Sequence, residues 1–455
     1  MTSPPAQPGP TQPEPPERSG GPWSSPAAGQ PPGAAPTASA GAPVEETPRA
    51  LTPGRRSDRL TGIDVARGVA VLGMFVAHLG FSDEWGDPSP SWLVLFDGRS
   101  SALFAFLAGV SIALITGRTT PHEGSQLRRS RLRIAVRAGL LWCLGIALIM
   151  LGTPVLIILP AYAVMFLMTL PFLRARVPTV LGAAAVTAVI SPALIFALST
   201  EGADGSPSFL STLTGAGDPV TYLPMDVFAT GPYPALIFSA YVFTGLAVGR
   251  SQLTDIAVQC MMVAAGAGMA ALAWGGSLLL LSSSTVTSSP YLTRLATGEA
   301  HDYSPVEVIG NLGAALAVTG LLLMLTRPGM LGRIISVVLA PVAAVGAMSL
   351  TAYSGHLVAI AILGNDVVWY PDSNGVLLWF IGITLVVCLL WRTLIGRGPL
   401  EWLLGRAVAG IVPPPRTQRP PAGPPSPTGP PIHHGPPPPP AWRPQGPQPG
   451  SPPPT

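Results

Sequence analysis

The stretch "RLTGIDVARGVAVLGMFVAHLG", residues 59–80, decides how the rest of the chain is read. About 20 mostly apolar residues suffice to carry an α-helix across a bilayer, and this stretch has that length. Yet it holds Asp64, Arg67 and His78 inside the apolar run. Ionisable side chains are costly in hydrocarbon and face a bundle interior or a water-filled cavity. Arg67 and His78 are eleven positions apart, close to three whole turns. They therefore share one helix face, about 16 Å apart along the axis. Asp64 lies one turn before Arg67, and Val71 and Met74 fill the seam, so the whole strip is expected to face inward. An interfacial i,i+3 ion pair accounts for Asp64 and Arg67, and an interhelical hydrogen bond for His78. A functional strip accounts for all three at once.

Composition agrees with a membrane protein. The chain is 48% hydrophobic and 10% charged, with a mean hydropathy of +0.46, which is far from a soluble domain. All 25 basic residues are arginine, and the net charge of +3 is too small to suggest a nucleic-acid partner. The three cysteines, Cys143, Cys260 and Cys388, stand alone in apolar runs with no C-x-x-C spacing. They read as buried helix residues and not as disulfides or a metal site, and no metal is expected.

The 55 prolines crowd the two ends. Residues 1–57 and 411–455 are expected to be disordered cytoplasmic tails, since proline-rich sequence cannot bury enough apolar surface to fold. They serve as solvated spacers or as ligands for proline-binding modules. Between them, residues 58–410 form an all-α, polytopic helix bundle. About ten apolar segments are long enough to cross a bilayer: 62–82, 99–117, 133–152, 154–173, 178–198, 232–250, 256–281, 305–326, 335–363 and 375–395. The third and fourth, joined by "GTP", form a helical hairpin. Segments of this length exclude a β-barrel.

Arginine gives the orientation. Arg55, Arg56 and Arg59, the group from Arg118 to Arg137, then Arg174, Arg176, Arg250, Arg327, Arg333, Arg392 and Arg397 all fall on one side if the segments alternate. The opposite connections carry most of the acidic residues. The positive-inside rule places both termini in the cytoplasm of a multi-pass plasma-membrane protein.

A second polar cluster follows later in the chain. Ser349, Tyr353 and His356 recur at helical spacing in the ninth segment, and alternation puts His356 near the depth of His78. Glu307 and Asn311, one turn apart, open the eighth segment; Asp97 and Arg99 open the second. Interhelical hydrogen bonding is the competing account of these residues. His122 and His301 lie in loops and receive no role.

The opening stretch resembles the first motif of the transmembrane acyltransferase superfamily. That group includes the type-3 membrane acyltransferases and the heparan-alpha-glucosaminide N-acetyltransferase-like proteins. "DGRSSALFAFLAGVSIALITGR" (97–118), "PVEVIGNLGAALAV" (305–318), "MSLTAYSGHLVAI" (348–360) and "GRGPLEWLLGR" (396–406) resemble later blocks of uncharacterised bacterial members of the second branch. The resemblance implies a membrane-embedded enzyme that moves an acyl group, acetyl above all, from cytoplasmic acyl-CoA to a glycan or small-molecule acceptor of the cell envelope. Type-3 acyltransferases carry an arginine and a histidine eleven positions apart, which Arg67 and His78 match. "RLRIAVR", with Arg133 and Arg137, is similar to their basic motif. On this resemblance His78, Arg67 and Asp64 are catalytic, and Arg133 and Arg137 hold the CoA phosphates as charge-assisted pairs. The heparan branch has a histidine in the loop after the first helix; the matching stretch here, "FSDEWGDPSPSW", has none, so acyl transfer rests on His78. A transporter or flippase, with Asp64, Arg67, His78, Glu307 and His356 lining an intramembrane path, is the rival class.

Overall fold

The computed structural model describes residues 60–81, 92–199, 226–371 and 373–413. The proline-rich tails lie outside the described residues, apart from 411–413 at the end of the last helix. Among the described residues there is no strand. The main helices are α1 (Thr61–Leu79), α2 (Arg99–Ile115), α3 (Gly124–Ile149), α4 (Leu159–Thr169), α5 (Val177–Ser199), α6 (Ala235–Val248), α7 (Ile256–Leu281), α8 (Pro305–Leu325), α9 (Met330–Val338), α10 (Ala340–Ala347), α11 (Ser349–Leu363), α12 (Gly375–Leu394) and α13 (Pro399–Ile411).

Seven helices have the length and apolar character of a membrane crossing: α1, α2 with the turn before it, α3, α5, α7, α8 and α12. The pair α9–α10 makes an eighth candidate, bent by 66°. The apolar helices α4, α6 and α11 are shorter, so the described helices give fewer full-length crossings than the ten apolar segments suggest. The expected single segment 335–363 is not one helix. It breaks at Leu339 and again at Met348. Pro341 opens α10, and a proline cannot continue a preceding helix because it lacks the N–H and crowds the carbonyl one turn back. At the second break the freed N–H groups of Leu350 and Thr351 donate to Glu401 Oε1 at 2.8 and 3.1 Å, and the Thr351 hydroxyl donates to Oε2. A carboxylate on α13 thus satisfies the open N-terminus of α11.

Without water there is little hydrophobic drive between helices in a bilayer, and close backbone packing takes its place. Gly109 of α2 and Gly245 of α6 do this here: a Cβ on either would collide with a backbone carbonyl of the other helix. Gly68 of α1 and Gly346 of α10 repeat the arrangement. Cys388 is buried, but Cys143 and Cys260 are exposed on helix surfaces, a correction to the expectation that all three lie inside. In a membrane such surfaces meet lipid tails, where a small apolar thiol is at no disadvantage.

Several arginines tie neighbouring helix ends together. Arg174 pairs with Glu123 at 2.8 Å. Arg250 donates to the backbone carbonyls of Phe172, Leu173 and Ala175. Arg131 donates to Leu170 O at 3.2 Å. Arg392, from the end of α12, lies 3.8 Å from Asp64 at the start of α1. At the opposite end, Phe81 exchanges two hydrogen bonds with the Asn374 side chain.

Candidate active site

The inward strip on α1 forms as its spacing requires. Asp64, Val71 and Met74 are buried, while Arg67 and His78 are partly covered. Arg67 donates to Asp64 Oδ1 at 3.0 Å and to the Ser111 hydroxyl of α2 at 2.8 Å. With Arg392 on its other oxygen, Asp64 sits between two guanidinium groups.

Two cavities open along this strip. The smaller, about 290 Å³, has Arg67, Arg137, Tyr162 and Glu401 among its lining residues, within walls of Phe104, Ile112 and Phe166. Arg133, one turn before Arg137 on α3, is not among the described lining residues. The larger, about 680 Å³, holds Met74, His78, Ser100, Ser101, Asp97 and His301. The cavities share three walls. On α1 the smaller takes Arg67 and the larger Met74 and His78. On α2 the smaller begins at Phe104 and the larger ends at Ser101. On the 154–166 segment the larger ends at Leu156 and the smaller begins at Leu159. The gap is seven residues, about two helical turns, on α1, and three residues on each of the other two walls.

His78 meets His356 beneath the larger cavity. His78 Nδ1 and His356 Nε2 are 3.1 Å apart, with the rings nearly parallel. Phe75 and Tyr353 pack on His356 at centroid distances of 4.6 and 5.3 Å. The Tyr353 hydroxyl accepts from Ile158 N at 3.3 Å. The two histidines expected at similar depth, 278 positions apart, are therefore in direct contact.

Glu307 and Asn311 form the expected pair, with Asn311 Nδ2 donating to Glu307 Oε1 at 3.1 Å. Neither lines a described cavity; Glu307 instead accepts from the backbone N–H of His301 at 3.1 Å and of Tyr303 at 2.6 Å. Ser304 caps this end of α8 by accepting from Glu307 N. The loop residue His301, given no role from sequence, lines the larger cavity. Its Nε2 lies 2.7 Å from Asp97 Oδ1 and its Nδ1 3.2 Å from the Tyr303 hydroxyl. Loop residues have no periodicity to betray them, and Asp97 is 204 positions away. The hydrogen bond that His301 donates to Asp97, with the negative charges of Asp97, Glu307 and Asp302, raises the His301 pKa above its ordinary value. Among the described residues no group of three or more His, Cys, Asp or Glu side chains is placed to share a metal ion.

The chemistry available is general acid–base work at a histidine pair, beside a cavity large enough for a sugar-sized molecule and one to two turns from a second cavity with guanidinium groups in its wall. Residues 59–282 match the family model described as heparan-alpha-glucosaminide N-acetyltransferase, catalytic. This relates the chain to the heparan-alpha-glucosaminide N-acetyltransferase-like transmembrane acyltransferases. Arg67, His78, Asp97 and Arg137 lie inside the matched region, while His301, Glu307 and His356 lie beyond it. No curated protein matches the chain.

Proposed function

We propose that this relative of the heparan-alpha-glucosaminide N-acetyltransferases is a plasma-membrane acyltransferase. It takes an acyl group, acetyl in the first instance, from acyl-CoA on the cytoplasmic side and passes it to a glycan or other envelope acceptor on the far side. The observation that supports this most is the pair of cavities stacked along shared walls, with arginine at one end and histidine at the other.

In this scheme Arg67 and Arg137, with Arg133 one turn before Arg137 on α3, hold the CoA phosphates. Arginine suits that task through planar, bidentate donation. Asp64 keeps Arg67 oriented. The thioester reaches along the seam to His78. The acceptor lone pair attacks the thioester carbonyl carbon while His78 Nε2 takes the acceptor proton. The carbon–sulfur bond breaks, and the thiolate recovers the proton as free CoA. His78 Nδ1 shares a hydrogen with His356, which fixes the ring and leaves Nε2 for the reaction. Both termini are cytoplasmic, and some ten segments enter or cross the bilayer.

The test is uptake of radiolabel from acetyl-CoA into cell-envelope glycans by membranes with and without the protein, together with acetyl-CoA binding to the purified chain. Tags at residue 50 and in the 117–123 connection should report cytoplasmic, and one in the 200–225 segment external. No acetyl-CoA binding, or an external tag at residue 50, defeats the scheme.

A further inference from the structure

The 301–303 loop is held in a conformation its sequence does not favour. His301 and Tyr303 have φ of 67° and 53°, left-handed values that non-glycine residues rarely adopt and that persist only where the surroundings impose them. The imposing group is Glu307, whose carboxylate accepts from the backbone N–H of those same two residues. A buried carboxylate, 2% exposed, is thus engaged in shaping a loop.

The shaped loop fixes a ring. The Tyr303 hydroxyl donates to the Pro232 carbonyl, which has no hydrogen to give in return. The Tyr303 oxygen can then only accept from His301 Nδ1, while the Asp97 carboxylate accepts from Nε2. Both ring nitrogens therefore carry hydrogen, and both hydrogens are taken. His301 has neither a lone pair nor a donor left for a ligand. Asp97 is in the opposite position. It uses one oxygen on His301, its side chain remains 44% exposed, and it lines the larger cavity with His78. A carboxylate offers about four acceptor sites, so capacity remains.

We infer that Asp97 is the carboxylate that grips the acceptor in the larger cavity, and that His301 and Glu307 are positioning residues that fix it beside His78. The inference rests on the acyl-transfer scheme above. A fixed carboxylate selects acceptors that present hydrogen-bond donors, a hydroxyl or an amine. It orients the donor so that its proton goes to His78 Nε2 as the acceptor atom bonds to the thioester carbon and the thiolate leaves.

The experiment has two arms on the purified full-length chain. In the first, ¹⁵N-histidine spectra follow ring protonation, with His301→Gln used for assignment. His301 should be doubly protonated at pH 7.5 in the wild type and largely neutral in Asp97→Asn. In the second, rates of acetyl transfer from acetyl-CoA are measured with glucosamine and glucose as amine and hydroxyl probes. Asp97→Asn and His301→Gln should raise the acceptor KM at least tenfold and leave the acetyl-CoA KM within about twofold. Glu307→Gln should move the acceptor KM in the same direction by less. A wild-type His301 that titrates normally and is unmoved by Asp97→Asn overturns the pairing, and an unchanged acceptor KM in both variants overturns the grip. Absence of transfer by the wild type defeats the acyl-transfer scheme and with it the grip, while the first arm decides the pairing alone.

Discussion

The two ends of α1 solve different problems. At the Arg67 end, charge is met by charge: Asp64 lies between Arg67 and Arg392, and Arg67 is further tied to Ser111. The adjacent cavity is about 290 Å³. At the His78 end the partner of a histidine is another histidine, and the adjacent cavity is about 680 Å³. Its ion pair, Asp97–His301, stands on a different part of the wall. One end meets charge with charge, and in the proposed scheme the other moves a proton. A single strip of helix carries both because three turns bring Arg67 and His78 to one face.

The sharpest way to break this contrast is at the proton end. His78→Gln keeps size and hydrogen bonding but supplies no base. Transfer should fall about 10²–10⁴-fold, while acetyl-CoA binding, measured by equilibrium dialysis, stays unchanged. Normal transfer by the variant would make His78 a tie between helices. The charge end should fail differently. Arg133→Ala with Arg137→Ala should weaken acetyl-CoA binding about tenfold or more, since each charge-assisted hydrogen bond contributes about 1.5–3 kcal/mol, and should leave the acceptor KM alone. Unaltered affinity would reduce these arginines to topology signals. Glu401→Gln removes the charge that caps α11. Thermal unfolding in detergent should show a loss of about 1–3 kcal/mol, and no change in melting would mean the break at Met348 needs no cap.

The smallest expected effect is a pH dependence from His301. Its folded-state pKa is raised, so the stabilisation is fully present below the ordinary histidine value near 6.5 and is lost as pH rises through the raised value. The groups facing it are Asp97, Asp302, Tyr303, Glu307 and His78. Melting temperature should decline from pH 6 to pH 9 in the wild type, with a shallower decline in His301→Gln. Parallel curves would remove the ion pair from the account.

Much of this was legible in the sequence where periodicity carries information. The inward strip on α1 and the helical run Ser349–Tyr353–His356 follow from 3.6 residues per turn. What was not legible involves groups with no period. His301 gains its place through a loop shaped by Glu307, and Glu307 itself is a positioning group whose role cannot be told from a site role by spacing. The segment 335–363 looks continuous because its residues are uniformly apolar. Its breaks depend on Pro341 and on a carboxylate some fifty positions away, and hydropathy registers neither.

The bend between α9 and α10 has a topological consequence. α9 turns 66° away from α10, and Met330, Leu331, Ile334, Val337 and Val338 are all exposed along one side of it, with Arg327 just before its start and Arg333 within it. A short helix with an apolar underside and arginines beside it has the pattern of one that lies along a membrane surface, so the bend divides an apolar stretch that hydropathy alone reads as a single crossing.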